Sequence, residues 1–272
     1  MIRRDDMLGG ALIIVLVALL LSLGALAYYL KQAGLHDGET PCASDQSVPH
    51  TVILVDRTDP FTDLHTMLLE SAVEYGSAAL RRGERLSIFL IEARAPVRPA
   101  PILSLCKPND GSDANWLYEN ATLLRSAFEK QFARPLTALV DQLHEPAQEP
   151  ASPILETIRA VSLLPSFREA QARRKLIVVS DLLENTARYS HYTTTPDYQN
   201  FRRSPYGASV LPSLHGVEVE LVYLPNQRAQ KRQGRAHLTF WQSYLTEAGA
   251  RAVEIASPLN HEIDGGRAAW SR

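Results

Sequence analysis

Apolar positions along the chain follow two rhythms. Residues 51–55 (TVILV), 86–91 (LSIFLI) and 175–179 (KLIVV) are short apolar runs. Runs of this length and composition read as strands covered on both faces of a parallel sheet, and 217–224 (VEVELVYL) reads as a further strand. Between them the period changes to that of a helix. Residues 61–82 bring Leu64, Leu68, Ala72, Tyr75 and Ala79 to one face, with Gly83 expected just past the helix end. Further helices are expected over most of 115–144, with an interruption at Pro135, from Ser152 towards Leu164, and over 236–248, ended by Gly249. Ser152 followed by Pro153 has the form of an N-cap with proline at the first helical position. A short edge strand at 102–105 and a weak last strand at 252–255 complete the set. Strands alternating with helices predict an α/β fold: a doubly wound, mostly parallel sheet flanked by helices.

A third pattern stands apart from these two. Residues 8–29, LGGALIIVLVALLLSLGALAYY, carry no charge. At about 1.5 Å per residue such a helix reaches across a hydrocarbon core roughly 30 Å thick. The expectation is one transmembrane helix, with Tyr28 and Tyr29 as interfacial anchors. A cleaved leader is the competing reading, since Ala25-Leu26-Ala27 resembles a small-residue cleavage site. Arg3 and Arg4 on one flank against Lys31 on the other predict a cytoplasmic N-terminus and an exported body. The expected organisation is therefore an anchor over 1–30, a polar linker over 31–50, an α/β domain over 51–258 and a tail over 259–272.

Composition adds little to this picture. The 272 residues carry a formal net charge of −2, which gives no general case for a nucleic-acid partner. Cys42 and Cys106 are the only cysteines; in an exported body they could pair, and two unrelated thiols is the other reading. No Cys/His spacing resembles a zinc site, and neither a nucleophile elbow nor a glycine-rich phosphate loop is present.

The candidate chemistry lies where the strands end. Asp56 follows the first buried run, in Asp56-Arg57-Thr58-Asp59-Pro60, and Asp181 follows the third, in VVSDLLEN. Ligands of open α/β sheets sit outside the carboxyl ends of the strands, so two carboxylates there suggest a hard-cation site. The plainer alternative is that both aspartates cap the helices that follow. The basic stretch 227–235, QRAQKRQGR, reads as a solvated loop or as a surface for an acidic partner, nucleic acid or lipid headgroups. The long polar and aromatic stretch 184–205 reads as a functional or mobile loop, with its tyrosines either at a contact surface or in a small core.

The order of these motifs resembles that of von Willebrand factor A-type domains over residues 51–256. In that family a metal site takes an Asp-x-Ser/Thr-x-Ser motif after the first strand, a hydroxyl from a middle loop and an aspartate after the fourth strand. Asp56 and Thr58 match the first motif, although Pro60 replaces its last hydroxyl; Ser152 and Asp181 match the rest. The resemblance implies Mg²⁺ or another divalent cation held by Asp56, Thr58, Ser152 and Asp181. It further implies a protein partner whose carboxylate completes the coordination. Asp59, Tyr189 and Tyr192 are the expected partner contacts, with the loops 106–120 and 184–205 setting discrimination. The expectation is a membrane-anchored binding module and not an enzyme. A metal-dependent hydrolase using Asp56, and a structural subunit of a membrane complex with no ion bound, are the alternatives.

Overall fold

The computed structural model describes residues 16–25, 48–112, 114, 119–143, 148–168 and 172–256. The chain divides into two compact units, Met1–Pro41 and Cys42–Arg272. In the first, residues 16–25 are helical and exposed, including Leu16, Leu19, Leu20, Leu21 and Leu23. The rest of the expected transmembrane helix, 8–15 and 26–29, lies outside the described residues, as do most of the linker and the tail. Among the described residues no helix is long and apolar enough to cross a membrane.

The second unit is built on one sheet of six strands: β1 (His50–Asp56), β2 (Arg85–Ile91), β3 (Leu103–Cys106), β4 (Arg174–Ser180), β5 (Val217–Tyr223) and β6 (Ala252–Ala256). Their order is β3-β2-β1-β4-β5-β6, and every pairing is parallel except that of the edge strand β3 with β2. The mostly parallel α/β fold expected from the sequence is thus present, and it is compatible with the A-type arrangement.

The continuous apolar runs follow from two-sided covering. In β1, Val52 and Leu54 pack towards α4 (Ile154–Ser162) and α8 (Arg235–Glu247), while Ile53 and Val55 pack towards α1 (Asp63–Ala78) and α3 (Arg134–Leu143). Side chains alternate across a strand, so each parity needs its own apolar cover. Helix α1 comes close to the sheet at Gly76, where an added Cβ would stand 3.2 Å from the Ile177 side chain.

Several elements differ from the sequence expectation for local reasons. Helix α1 is capped by Thr62, whose hydroxyl oxygen accepts the His65 N–H at 3.3 Å, and it stops at Ala78. Gly83 is therefore no cap residue; its positive φ of 81° serves the turn into β2. The expected interruption at Pro135 is a single wide turn at Glu129–Ala133, joining α2 (Ala121–Phe128) to α3. Proline cannot donate to the carbonyl four residues back and its ring crowds that carbonyl, and the wide turn accommodates both.

The stretch 184–205 is only partly loop. It contains α6 (Tyr198–Arg203), and α7 (Pro205–Val210) follows; α5 (Pro165–Arg168) is a single turn before β4. Cys106 is disulfide-bonded, and Cys42, the other cysteine of the sequence, lies outside the described residues.

Candidate metal site at the carboxyl ends of β1 and β4

Asp56 ends β1 and Asp181 directly follows β4, its neighbour in the middle of the sheet. Both are where the sequence places them, and neither caps a helix. Asp56 Oδ1 accepts the Thr58 N–H at 3.0 Å and the Thr58 hydroxyl at 2.7 Å. Asp181 Oδ1 accepts the Leu183 N–H at 2.9 Å. The helices that follow use other caps, Thr62 for α1 and Asp197 for α6.

The second oxygen of Asp56 draws in two further segments. It accepts the Ser152 hydroxyl at 3.1 Å and the Ser180 hydroxyl at 2.7 Å. Ser152 is consequently not the N-cap of α4. Its backbone pairs with Asn185 while its side chain turns to Asp56. The α4 N-terminus is closed instead by Glu184, whose Oε2 accepts the Leu155 N–H at 2.9 Å and whose Oε1 accepts the Tyr206 hydroxyl at 3.2 Å. Burial pushes the Glu184 carboxyl up to about 8.

Asp181 has a different surrounding. Its Oδ2 accepts the Asn226 amide N–H at 2.7 Å, and the same amide reaches Asp59 Oδ2 at 3.2 Å. A cavity of about 20 Å³ lies among Asp56, Thr58, Asp59, Phe61, His65, Asp181, Leu224 and Asn226. That is about the room one water molecule needs. Burial raises the Asp181 carboxyl to about 7, and the neighbouring Asp56 adds to the rise. Burial likewise raises Asp56, against the hydrogen bonds that favour its ionised form.

The backbone beyond Asp181 is fixed by a buried polar cluster. Leu182 adopts a positive φ of 59°, a conformation that costs a branched residue roughly 1–2 kcal/mol. Its carbonyl accepts the Trp241 indole N–H at 2.9 Å, and His237 Nε2 stands 2.9 Å away. His237 Nδ1 meets the Tyr223 hydroxyl at 2.7 Å. Burial lowers His237 to about 4 and His191 to about 3, so both imidazoles are neutral at pH 7.

Of the expected partner contacts, Asp59 is exposed at the cavity rim and bonds Asn226. Tyr192 is half-buried beside it; burial raises its hydroxyl, and the Asp181, Asp59 and Asp56 carboxylates add to that. Tyr189 points the other way, stacked on Phe240 at 5.9 Å and lying 4.7 Å from Phe201 in an aromatic core. Ser180, Asn226 and Glu184 were not singled out by the sequence. Ser180 was legible in the strand period, which turns it to the same face as the Asp56 row. Asn226 follows β5, a third strand end in the middle of the sheet.

Thr58 and Ser152 give their hydroxyl protons to Asp56, and Asp181 and Asp59 border the cavity with Asp56 and Thr58, while Ser152 does not line it. Among the described residues no group of three or more His, Cys, Asp or Glu side chains is arranged to hold a metal ion. A cation here would therefore rest largely on hydroxyls and water. No family model matches the sequence, and no curated protein matches it.

Proposed function

We propose that this protein is a membrane-anchored protein-binding module, with a divalent cation such as Mg²⁺ at Asp56, Thr58, Ser152 and Asp181. The observation that carries the reading is that Asp56, Thr58 and Asp181 border one small cavity, with Ser152 tied to it through its hydrogen bond to Asp56. Burial is the main cause of the rise of Asp181 to about 7, and the adjacent Asp56 carboxylate adds to it; a cation between the two would relieve both costs. A partner carboxylate would complete the ion's shell, with Asp59 and Tyr192 at the rim. The uncharged run at 8–29, with exposed leucines on its described turns, supports the anchor. Its flanking charges support an exported body and a cytoplasmic N-terminus.

Titrating the purified protein with Mg²⁺ or Mn²⁺ in a calorimeter tests the site. Saturable binding that disappears in Asp181→Asn sustains the reading, and no heat in wild type rejects it. A second reading, a structural subunit that works without an ion, is favoured by one specific observation. Asp56 already has four donors, and the Asn226 amide bridges Asp59 and Asp181 as a cation would. The same titration separates the two.

A further inference from the structure

A second, larger cavity opens at the same edge of the sheet and takes no part in the candidate cation site. It has a volume of about 560 Å³ and is lined by the segment after β2, the first and last turns of α4, and the segment after Asn185. Each contributes one arginine: Arg94, Arg159 and Arg188. Glu156 is the single acidic residue of the lining, and it is paired to Arg188. Arg188 is held further by its guanidinium lying over the Tyr206 ring at 4.8 Å. Arg94 and Arg159 are exposed and are in no ion pair among the described residues, so the lining presents three arginines against one glutamate.

We propose that this cavity binds an acidic peptide segment of a partner protein, placing a carboxylate against Arg94 and Arg159 and an apolar side chain against the lip at Val97. The geometry disfavours a phosphate group. Phosphate sites at helix starts use free backbone N–H groups, and the Leu155 N–H at the start of α4 is already given to Glu184. Size and surface disfavour a small anion. Val97 is 97% exposed and Leu163 38%, and both belong to the lining, so the cavity offers apolar surface beside the arginines that a small anion would not cover. A peptide covers the lip and the charges together, and Arg is suited to bidentate contact with a carboxylate.

The test uses the full-length protein in detergent, with chelator present so that the cation site plays no part. A fluorescein-labelled peptide of alternating Glu and Leu is titrated and its anisotropy read, beside a Gln/Leu peptide of equal length. The Glu peptide is expected to bind, and the Gln peptide and the double variant R94Q/R159Q to bind roughly tenfold more weakly, as loss of two partly exposed ion pairs allows. R228Q/R232Q, on a different exposed loop, is expected to leave binding unchanged. Four results would overturn the proposal. They are no binding of the Glu peptide, equal binding of the Gln peptide, indifference to R94Q/R159Q, and displacement by inorganic phosphate at matched ionic strength.

Discussion

Asp56 and Asp181 are the same residue at the ends of adjacent strands, yet they do different work. Asp56 is saturated: four donors from three segments converge on its two oxygens. Those segments are the turn after β1, the start of the α4 region and the end of β4. Asp181 has one backbone N–H and one side-chain amide, and it borders the cavity. The contrast teaches that closeness to a site does not make two carboxylates equivalent. Asp56 joins the loops together, and Asp181 is the one left with capacity for something more.

Removing Asp56 tests the first half of that contrast and carries the largest expected effect. Asp56→Ala leaves the buried hydroxyls of Thr58, Ser152 and Ser180 without their acceptor. At about 1–3 kcal/mol for each buried group left unpaired, the loss should be on the order of 3 kcal/mol or more. Chemical denaturation with and without the substitution measures it. A change below about 1 kcal/mol would mean that water replaces the carboxylate, and that Asp56 is no keystone.

A divalent cation tests the second half. At a hundred times its dissociation constant, Mg²⁺ should stabilise the fold by about 2.7 kcal/mol over the protein in chelator. Thermal melts in the two conditions read the shift, which Asp181→Asn should abolish. Identical melts for wild type with and without the ion would favour the structural-subunit reading.

Acidity sharpens the comparison further. Asp181 titrates near 3.8 when unfolded and about 7 when folded, so the folded state holds the proton more tightly. Its contribution to stability is full below about pH 4 and is lost as pH rises through about 7. The buried imidazoles act in the opposite sense: His50, His191 and His237 are lowered, so stability falls as pH drops below their ordinary 6.5. The informative quantity is therefore the difference between wild type and Asp181→Asn across pH 4–7. Wild type should lose stability relative to the variant as pH rises, and a flat difference would remove the coupling. The ion's stabilising effect should grow over the same interval, because cation and proton compete for one carboxylate.

The smallest effects belong to the controls. Ser180→Ala removes one of four donors to Asp56 and the acceptor of the buried Leu182 N–H, and should cost about 2 kcal/mol. Asp63→Ala, on the first turn of α1, should cost no more than about 0.5 kcal/mol through the helix dipole and leave any ion response intact. A larger loss at Asp63 than at Ser180, in the same denaturant titrations, would reverse the ranking drawn from the hydrogen bonds.

The sheet was legible because its signal is periodic. β1, β2 and β4 appear as apolar runs, β5 as a further strand, and even the weak last strand expected at 252–255 is present. Strand-end position was legible too, and it brought out Asp56 and Asp181. What the sequence hid depends on side chains meeting from distant segments. Ser152 looks like a cap because Ser-Pro before an apolar run has that form, while its hydroxyl serves Asp56, 96 positions away. Glu184 looks like the start of a polar loop, yet it closes the helix that Ser152 was expected to cap. Tyr189 and Tyr192 are three residues apart, and nothing in their spacing tells which one faces Phe240 and which the carboxylates.

The wide turn at Glu129–Ala133 has a consequence at the level of the gene. Each residue of an α-helix advances the chain by about 100°, so one codon gained or lost inside a regular helix rotates everything downstream off its seat. A wide turn already holds an extra residue, and deleting one residue there would close it to ordinary helix. Leu136, Val140 and Leu143 would keep facing α1 and the sheet. This five-residue stretch is where the helical part of the chain is most tolerant of a change in length.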